Sequence, residues 1–332
     1  MRHLATIVGT LLAMSQTSLA AEQVTVDNSK RVETDFYFKL RADAGCLGVL
    51  CHDRGPKPID KQDIVRLNRD TPYSGGVFDL TSPVTIELPD AGARFRSLVV
   101  INEDHYIKLV SYKAGKITLS RDKIGTRYAA VAIRTFMDPN SPADLEAGRK
   151  LQDAIKVTQG DRGKLELPDW DQTQRKGLHD ALLGLMRFVP DSRRVFGDKG
   201  EVDEVRHLAG TAAGWGGNRE QDALYISVNP KENDGQKAYT LTAKDVPVDG
   251  FWSITVYNSK GFYEAPEDAI SVNNVTAQKD KDGQITIHFG GDPKASNYLH
   301  IMPGWNYTAR LYRPRADILN GEWKFPEAQP TN

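Results

Sequence analysis

The sequence predicts a mainly β protein with a helical connector, in which two antiparallel β-sandwich domains of jelly-roll type flank the connector. Strand signals occupy both ends of the chain, and helix signals are concentrated between them. No helical pattern separates the successive strands of the first half, which argues against a parallel βαβ sheet and for an antiparallel sandwich or jelly roll. The length of 332 residues exceeds what one ordinary core holds, so we expect two domains.

Residues 1–20 have the features of a secretory signal peptide. Arg2 precedes an apolar run over 4–14, and small residues at Ser18 and Ala20 suit a cut after Ala20. The run is shorter than the roughly 20 apolar residues that a transmembrane helix needs. We therefore expect a periplasmic or secreted protein with a cleaved signal peptide and no membrane span.

The two cysteines of the chain, Cys46 and Cys51, lie close together in the sequence. In an oxidising compartment such a pair more often forms a local disulfide than a metal site, and a metal site would need further thiols that the chain lacks. We predict a Cys46–Cys51 disulfide.

Residues 21–141 are predicted to form the N-terminal β domain. Apolar and polar residues alternate over 84–88, as in a strand with one buried face. The continuous apolar runs 98–101 and 129–133 predict strands that are fully buried. The mixed periodicity of 24–40 leaves the structure of that segment open.

Residues 142–212 are predicted to be the helical connector. Ser141 followed by a proline has the pattern of a helix N-cap and first helical position, and this helix is expected to reach about Val157. A loop over 159–170 is predicted before a second helix that begins at Asp171.

Residues 213–328 are predicted to form the C-terminal jelly-roll-like β domain. Its strands are predicted at 225–228, 239–243, 251–257, 285–289 and 307–312. The turn signal at Asp282 and Gly283 further predicts that 272–278 pairs with 285–289 as a hairpin.

Charge and motif content exclude several function classes. The 43 Lys and Arg residues balance 44 Asp and Glu residues, for a net charge of −1, so no charge excess favours nucleic acid or an anionic membrane. The glycine-rich segment 210–217 lacks the ending of a phosphate-binding loop and does not follow a strand, and no G-x-S-x-G motif is present. We predict no cofactor.

The densest group of reactive side chains lies in Asn68, Arg69, Asp70 and Tyr73. One interpretation takes Asp70 as a catalytic base or ligand anchor, with the other three as binding residues. The alternative is turn chemistry, because short polar runs before paired glycines are usually turns.

His105 and His207 are the two candidate histidines. His105 follows a buried apolar run, and a strand end can present an imidazole rigidly for proton transfer. His207 lies on a short helix predicted over Asp203–Leu208. The alternative is a structural role for either residue. A metal site would have to combine distant residues such as Asp70, His105 and His207, and no metal is predicted.

A polar face is predicted on the strand over 251–257. The period of two puts Ser253, Thr255 and Tyr257 on the face opposite Trp252, Ile254 and Val256. Together with Arg310 on the last strand, the polar residues would suit the floor of a ligand pocket. The alternative is an ordinary solvent-facing side of a sandwich.

Several stretches of the chain together carry a resemblance to a known pair of families. They are Pro58–Asp60, Val65–Ser74, Asn102–Tyr106, Gly214–Asn218, Gly250–Asn258, Met302–Tyr307 and Arg310–Pro314. In this order they resemble exported bacterial proteins that pair domain-of-unknown-function families 1254 and 1214. The resemblance implies two jelly-roll-type β domains joined by helices, and no settled activity. Relatives often carry cysteines near 290–297, which this chain lacks.

Two hypotheses for the function remain open. The first is an exported enzyme on a small polar or carbohydrate-like substrate, with Asp70 and His105 as acid and base and Arg69 or Arg310 holding an anionic group. The second is a non-catalytic ligand-binding or envelope-assembly module. The expected partner is a small-molecule or carbohydrate-like ligand, and the sequence does not predict the oligomeric state.

Overall fold

The structure of the chain is a computed structural model that describes residues 21–62, 65–264 and 266–331. The predicted signal peptide and its cut after Ala20 lie outside the described residues. Within those residues, no helix combines the length and the apolar character needed to cross a membrane.

The first part of the chain forms a β sandwich of a five-stranded and a three-stranded sheet. The strands are β1 (Cys51–His52), β2 (Tyr73–Asp79), β3 (Val84–Leu88), β4 (Arg96–Asn102), β5 (Ile107–Ser111), β6 (Gly115–Leu119), β7 (Tyr128–Thr135) and β8 (Lys156–Gln159). The larger sheet has the order β1-β2-β7-β4-β5 and the smaller one β6-β3-β8, and all pairings within them are antiparallel.

The core of this sandwich explains the two kinds of strand signal. Val84, Ile86 and Leu88 point inward from β3, as their alternation predicts. On β4, by contrast, Leu98 and Val100 face the sandwich core, whereas Val99 and Ile101 face the opposite side of the sheet. A strand covered on both faces has no position for polar residues, so its sequence is continuously apolar.

Helices cover the second face of the five-stranded sheet. The helices of the chain are α1 (Ser29–Asp43), α2 (Arg121–Ile124), α3 (Pro142–Asp153), α4 (Gln172–Met186), α5 (Glu204–Ala213) and α6 (Ala316–Leu319). α1, α4 and α5 contact one another, and α1 also contacts β2. Phe38 from α1 packs with Val77, Val99 and Phe196 in the core between this layer and the sheet.

The structure settles one segment that the sequence left open and corrects two predictions in the connector. The unassigned segment 24–40 contains most of α1, whose N-cap residue Asn28 makes no side-chain cap hydrogen bond. The first connector helix ends at Asp153, and residues that were expected to be helix or loop form β8, which pairs with β3 in the N-terminal sandwich. The β-branched pair Val157 and Thr158 suits this strand. The helix predicted over 203–208 extends to Ala213.

The last part of the chain forms a second sandwich of two four-stranded sheets. Its strands are β9 (Ala223–Val228), β10 (Tyr239–Ala243), β11 (Trp252–Tyr257), β12 (Ser271–Asn273), β13 (Ile285–Phe289), β14 (Tyr298–Leu299), β15 (Asn306–Tyr312) and β16 (Gln329–Pro330). The sheet orders are β12-β11-β15-β9 and β14-β13-β10-β16. The pairings are antiparallel except for the short parallel contact between β13 and β14. The chain is therefore mainly β, with two sandwiches.

The predicted hairpin between 272–278 and 285–289 is wrong. β12 pairs with β11, and β13 pairs with β10 in the opposite sheet. The turn signal at Gly283, which has a positive φ of 78°, is present. It leads into β13, whose alternating apolar residues Ile285, Ile287 and Phe289 are buried in the core of the C-terminal sandwich from the second sheet.

The face assignment of β11 is confirmed for its apolar side. Trp252, Ile254 and Val256 belong to the core of the C-terminal sandwich. Ser253, Thr255 and Tyr257, on the other side, are fully buried as well. The alternative of a solvent-facing outer side is thereby wrong, because other parts of the chain cover this face.

Asp35 is a buried carboxyl group within the helical layer. It is 2% exposed, and Trp170 Nε1 donates a hydrogen bond to its Oδ2 at 2.9 Å. Burial raises the pKa of Asp35 from 3.8 to about 7, and the neighbouring charge of Glu103 adds to this. Folding stability should therefore decrease as the pH rises from about 4 to about 7, because the folded protein holds this proton more tightly than the unfolded chain.

Asp35→Asn should remove this pH dependence. At pH 8 we expect the variant to be more stable than the parent by up to about 4 kcal/mol, at about 1.4 kcal/mol per pKa unit, and near pH 4 the difference should be small. Denaturant unfolding at both pH values measures this. Asp43→Asn, at an exposed position of the same helix, is the matched control, and an equal effect of Asp35→Asn at both pH values would contradict the assignment.

Candidate functional site

The candidate site is formed where the second face of the β12-β11-β15-β9 sheet meets the segment that leads into β2. Strand register places four polar residues in one row across this sheet: Asn273, Ser253, Arg310 and Tyr225. With Arg69, Asp70, Tyr73 and Arg134 from the N-terminal part of the chain, they form what we call the interface cluster.

Arg310 connects the two sides of the interface cluster. Its Nη2 donates to the carbonyl oxygen of Arg66 at 2.8 Å and to Tyr257 Oη at 2.6 Å, and its Nη1 donates to Thr255 Oγ1 at 3.0 Å. Tyr257 Oη in turn donates to the carbonyl oxygen of Leu67 at 2.8 Å. The predicted residues Thr255, Tyr257 and Arg310 thus hold the segment before β2 against the sheet.

Local hydrogen bonds shape that segment. Asn68 Oδ1 accepts from the Asp70 amide at 2.8 Å, and Asn68 Nδ2 donates to Thr71 Oγ1. The Asp70 carbonyl accepts from the Met137 amide at 3.0 Å. Asn68 makes the turn contacts that the alternative interpretation expected, and these contacts direct the Asp70 side chain toward the C-terminal sheet.

Asp70 is buried in the interface cluster with an incomplete set of partners. It is 1% exposed, and its Oδ1 accepts from Asn273 Nδ2 at 3.2 Å. Within the described parts of the chain, its Oδ2 has no hydrogen-bond partner. Burial raises the pKa of Asp70, although Ser253 and Arg310 nearby favour the charged form.

Three arginines of the interface cluster are buried without a carboxylate partner. Arg69, Arg134 and Arg310 are each 3% exposed, and no Asp or Glu oxygen of the described residues lies within 4.0 Å of their side-chain nitrogens. Arg69 lies over the Tyr263 ring, 5.3 Å from its centroid. Its Nε and Nη1, like Nη1 of Arg134, have no hydrogen-bond partner in the described structure.

Tyr73 is the closest ionisable neighbour of Arg134. The two residues face each other across β2 and β7, with Arg134 Nε donating to Tyr73 Oη at 3.2 Å. The guanidinium carbon also lies 5.0 Å from the centroid of the Tyr73 ring. Burial by itself raises the pKa of Tyr73, but the charge and hydrogen bond of Arg134, aided by Asn68 and Arg310, lower it below the usual value.

Arg134, Tyr225 and Asn273 belong to the cluster but were not predicted from the sequence. Arg134 immediately follows the apolar run 129–133, and a charged residue at the end of a buried strand is a usable signal for a site. Tyr225 and Asn273 have no such local signal. Their place in the cluster depends on pairing with strands that are distant in the sequence.

His105 and His207 lie together, on the helical side of the five-stranded sheet. Their rings stack at 5.2 Å between centroids, and both residues are buried. His105 Nδ1 lies 2.9 Å from Thr211 Oγ1, and its Nε2 accepts from the Gly216 amide at 3.0 Å. Burial, with the nearby His207 and Lys30, holds the pKa of His105 well below its usual value, so the ring is neutral.

No hydrogen bond joins Asp70 and His105 in the described structure, and their common site stays a prediction. The two are linked indirectly, because Gly216 donates to His105 and its carbonyl accepts from Arg134 Nη2 at 2.8 Å. The contacts of His105 are those of a residue that holds the glycine-rich segment. Among the described residues, no group of three His, Cys, Asp or Glu side chains has an arrangement that could hold a metal ion.

The predicted disulfide between Cys46 and Cys51 is present in the structure, with Cα atoms 5.6 Å apart. It closes the turn between α1 and β1. Because β1 pairs with β2, the bridge stabilises the edge of the sheet whose β2 strand begins at Tyr73.

Comparison with protein families gives a match at each end of the chain. Residues 48–118 match the family described as "Protein of unknown function (DUF1254)", and residues 224–316 match "Protein of unknown function (DUF1214)". The chain pairs DUF1254 with DUF1214. A search of curated proteins finds no match.

Two solved structures share the fold of this DUF1254–DUF1214 chain. The VPA0106 protein from Vibrio parahaemolyticus is 17% identical, with a TM-score of 0.71 over 92% of this chain and 100% of that chain. An uncharacterised protein from Burkholderia cenocepacia is 13% identical, with a TM-score of 0.52 over 92% of this chain and 87% of that chain. At these identities the likeness concerns the fold alone.

The interface cluster lies between the two matched regions in space. The DUF1254 region contributes Arg69, Asp70 and Tyr73, and the DUF1214 region contributes the row of four polar residues that includes Arg310. Arg134 comes from the part of the chain between the two matches. The cluster therefore combines residues from both matched regions and from the part of the chain between them.

His105→Ala should destabilise the DUF1254–DUF1214 chain, because it removes the acceptor of the partly buried Gly216 amide and the hydrogen bond to Thr211 Oγ1. We expect a loss of about 1–3 kcal/mol in the free energy of unfolding, measured by denaturant titration. His288→Ala, on the solvent side of β13, is the control and should cost less. Parental stability of His105→Ala would show that His105 does not anchor the segment.

Proposed function

We propose that the chain binds a small polar ligand in the interface cluster. The observation that carries the proposal is a group of buried polar atoms without a protein partner among the described residues. They are Arg69 Nε, Arg69 Nη1 and Arg134 Nη1, and the group is completed by Asp70 Oδ2 and Ser253 Oγ, which lie close enough to each other to interact. Each such atom typically costs 1–3 kcal/mol when it stays unpaired, so a fold that keeps several of them in one place favours a polar occupant.

The composition of the cluster favours a ligand with hydroxyl groups. Ser253 can donate or accept, Asp70 can accept from a hydroxyl, and the arginines donate. The rings of Tyr73, Tyr257 and Tyr263 add aromatic surface at the same interface. A small carbohydrate-like compound combines these features.

Acid and base catalysis on this ligand is the second candidate function. It is favoured by the opposite pKa shifts of two neighbouring side chains, since the pKa of Asp70 is raised and that of Tyr73 is lowered. Each shift is toward neutral pH, where general acids and bases are most effective. In this proposal Asp70 donates a proton and Tyr73 accepts one, while His105 supports the site through Gly216.

We also propose that the protein acts outside the cytoplasm, in the periplasm or after secretion. The disulfide supports this, because disulfides persist in oxidising compartments, and so does the signal-like character of residues 1–20. Alkylation of unreduced protein from a periplasmic fraction should find no free thiol, and two labelled thiols would contradict the proposal.

Ligand capture by the exported protein tests the binding function. Protein purified from the periplasm is analysed by native mass spectrometry, and the released compound is identified after denaturation. We expect the parent to retain a compound that Ser253→Ala and Arg69→Gln bind at least about tenfold more weakly, because each variant removes a hydrogen-bonding group. Arg127→Gln, whose parent residue pairs with Asp79 far from the cluster, is the control.

Two results would contradict the binding function. One is that neither the purified protein nor a panel of sugars and sugar acids shows binding in native mass spectra or thermal-shift assays. The other is that the cluster variants and Arg127→Gln bind equally well. The catalytic candidate is tested by incubating the compound that Asp70→Asn retains with the parent protein. We expect the parent to convert this compound, and recovery of the unchanged compound would exclude catalysis.

A further inference from the structure

We infer that the ligand of the interface cluster is a hydroxylated carboxylate, and that Tyr73 takes up a proton when this anion binds. The inference rests on the proposed binding function and specifies its ligand class. It follows from how charge and hydrogen-bonding groups are distributed around Tyr73, Arg134 and Asp70.

The charge of the cluster is unbalanced. The cluster contains three buried arginines and one carboxyl group, that of Asp70, and no ion pair within 4.0 Å joins any of them in the described structure. Neutral oxygen atoms of Arg66, Thr255 and Tyr257 surround Arg310. A buried guanidinium without an anionic partner is unfavourable, so an anion from solution is the complementary ligand.

The N–H groups of Arg69 and Arg134 that have no protein partner suit a carboxylate. Arg69 Nε and Nη1 and Arg134 Nη1 are buried N–H groups without a partner among the described residues. A planar guanidinium matches the two oxygens of a carboxylate or the oxygens of a phosphate. The three N–H groups belong to two guanidinium groups, which suits the two oxygens of one carboxylate, and inorganic phosphate is tested as a separate arm below.

The groups that face Tyr73 come from three further strands. Arg134 lies on β7, Arg310 and Tyr312 lie on β15, and Tyr225 lies on β9, while Asn68 precedes Tyr73 in its own segment. Burial raises the pKa of Tyr225 and of Tyr312, so both phenols stay neutral. Tyr73 is thus the phenol that can place a negative charge beside Arg134.

A carboxylate and the Tyr73 phenolate would compete for the same positive charge. Without ligand, the hydrogen bond from Arg134 Nε favours the phenolate, in agreement with the lowered pKa of Tyr73, which burial alone would raise. With a carboxylate bound beside Arg134, the like charge favours the neutral phenol. Up to one proton then moves from solvent to Tyr73 Oη for each carboxylate bound, according to how much of Tyr73 is phenolate before binding, and no other bond changes.

The coupling has a definite sign. Proton uptake on binding means that the affinity for the carboxylate increases as the pH falls. The increase is at most about tenfold per pH unit, and it occurs between the pKa values of Tyr73 in the ligand-free and in the ligand-bound protein. The affinity for a neutral sugar would not depend on pH in this way, because a neutral sugar brings no negative charge that competes with the phenolate for Arg134.

Calorimetric titration with paired probes tests the ligand class. The probes are D-glucuronate, D-galacturonate and D-gluconate, with D-glucose and D-galactose as neutral counterparts and inorganic phosphate as a separate arm. We expect at least one of the acids to bind ten times or more tightly than its neutral counterpart, and Arg134→Gln to reduce that preference about tenfold or more. Tighter binding of a neutral sugar or of phosphate, or a neutral compound retained by the purified protein, would overturn the inference and leave the binding function standing.

Titration of the acid that binds, in two buffers of different ionisation enthalpy, counts the protons taken up. We expect net uptake by the parent and by Tyr239→Phe, a core variant of the C-terminal sandwich, and a loss of phenolate absorbance during the titration. Tyr73→Phe should bind without uptake. If the parent binds the acid with no proton uptake and no change in absorbance, Tyr73 is not the proton acceptor. This conclusion depends only on the parent protein and holds even if Tyr73→Phe does not fold.

Discussion

The burial of Arg310 constrains how the two sandwiches meet. A guanidinium on a central strand can be buried only if its N–H groups find acceptors, and the sheet itself supplies Thr255 and Tyr257. The backbone carbonyl of Arg66, in the segment before β2, is a further acceptor. This contact determines the path of that segment and brings Asp70 to Asn273 on the facing sheet.

The interface cluster differs from the surface ion pairs of the chain. Arg127, for example, is partly exposed and lies between Asp79 and Glu166, so its charge is balanced and its loss affects stability alone. Arg69 and Arg134 are more deeply buried and have no such partners among the described residues. Their burial without such partners costs stability, which supports the proposed role of the cluster in ligand binding.

The helical layer supports the cluster from the opposite side of the N-terminal sheet. His105 accepts from the Gly216 amide, and the Gly216 carbonyl holds one end of the Arg134 guanidinium. A neutral imidazole suits this role, because a protonated Nε2 would face an N–H group and lose the contact. The short link explains why a histidine that looks catalytic in the sequence is enclosed by the protein here.

Local patterns determined much of the architecture. The alternation in β3, the apolar runs of β4 and β7 and the two faces of β11 follow from side-chain periodicity, and the structure agrees with them. The close spacing of Cys46 and Cys51 likewise predicted their bridge. Periodicity failed where pairing is long-range: β8 joins a distant strand, and β12 and β13 enter different sheets.

For the site, side-chain periodicity predicts which residues share a face of β11, but what covers that face depends on the tertiary fold. Ser253, Thr255 and Tyr257 must point to one side of β11 because the side-chain period of a strand is two. No local sequence pattern predicts that a segment nearly 200 residues away packs on that side and contributes Asp70 and Tyr73 to the cluster. That outcome depends on which buried donors and acceptors can be satisfied together, a property of the whole fold.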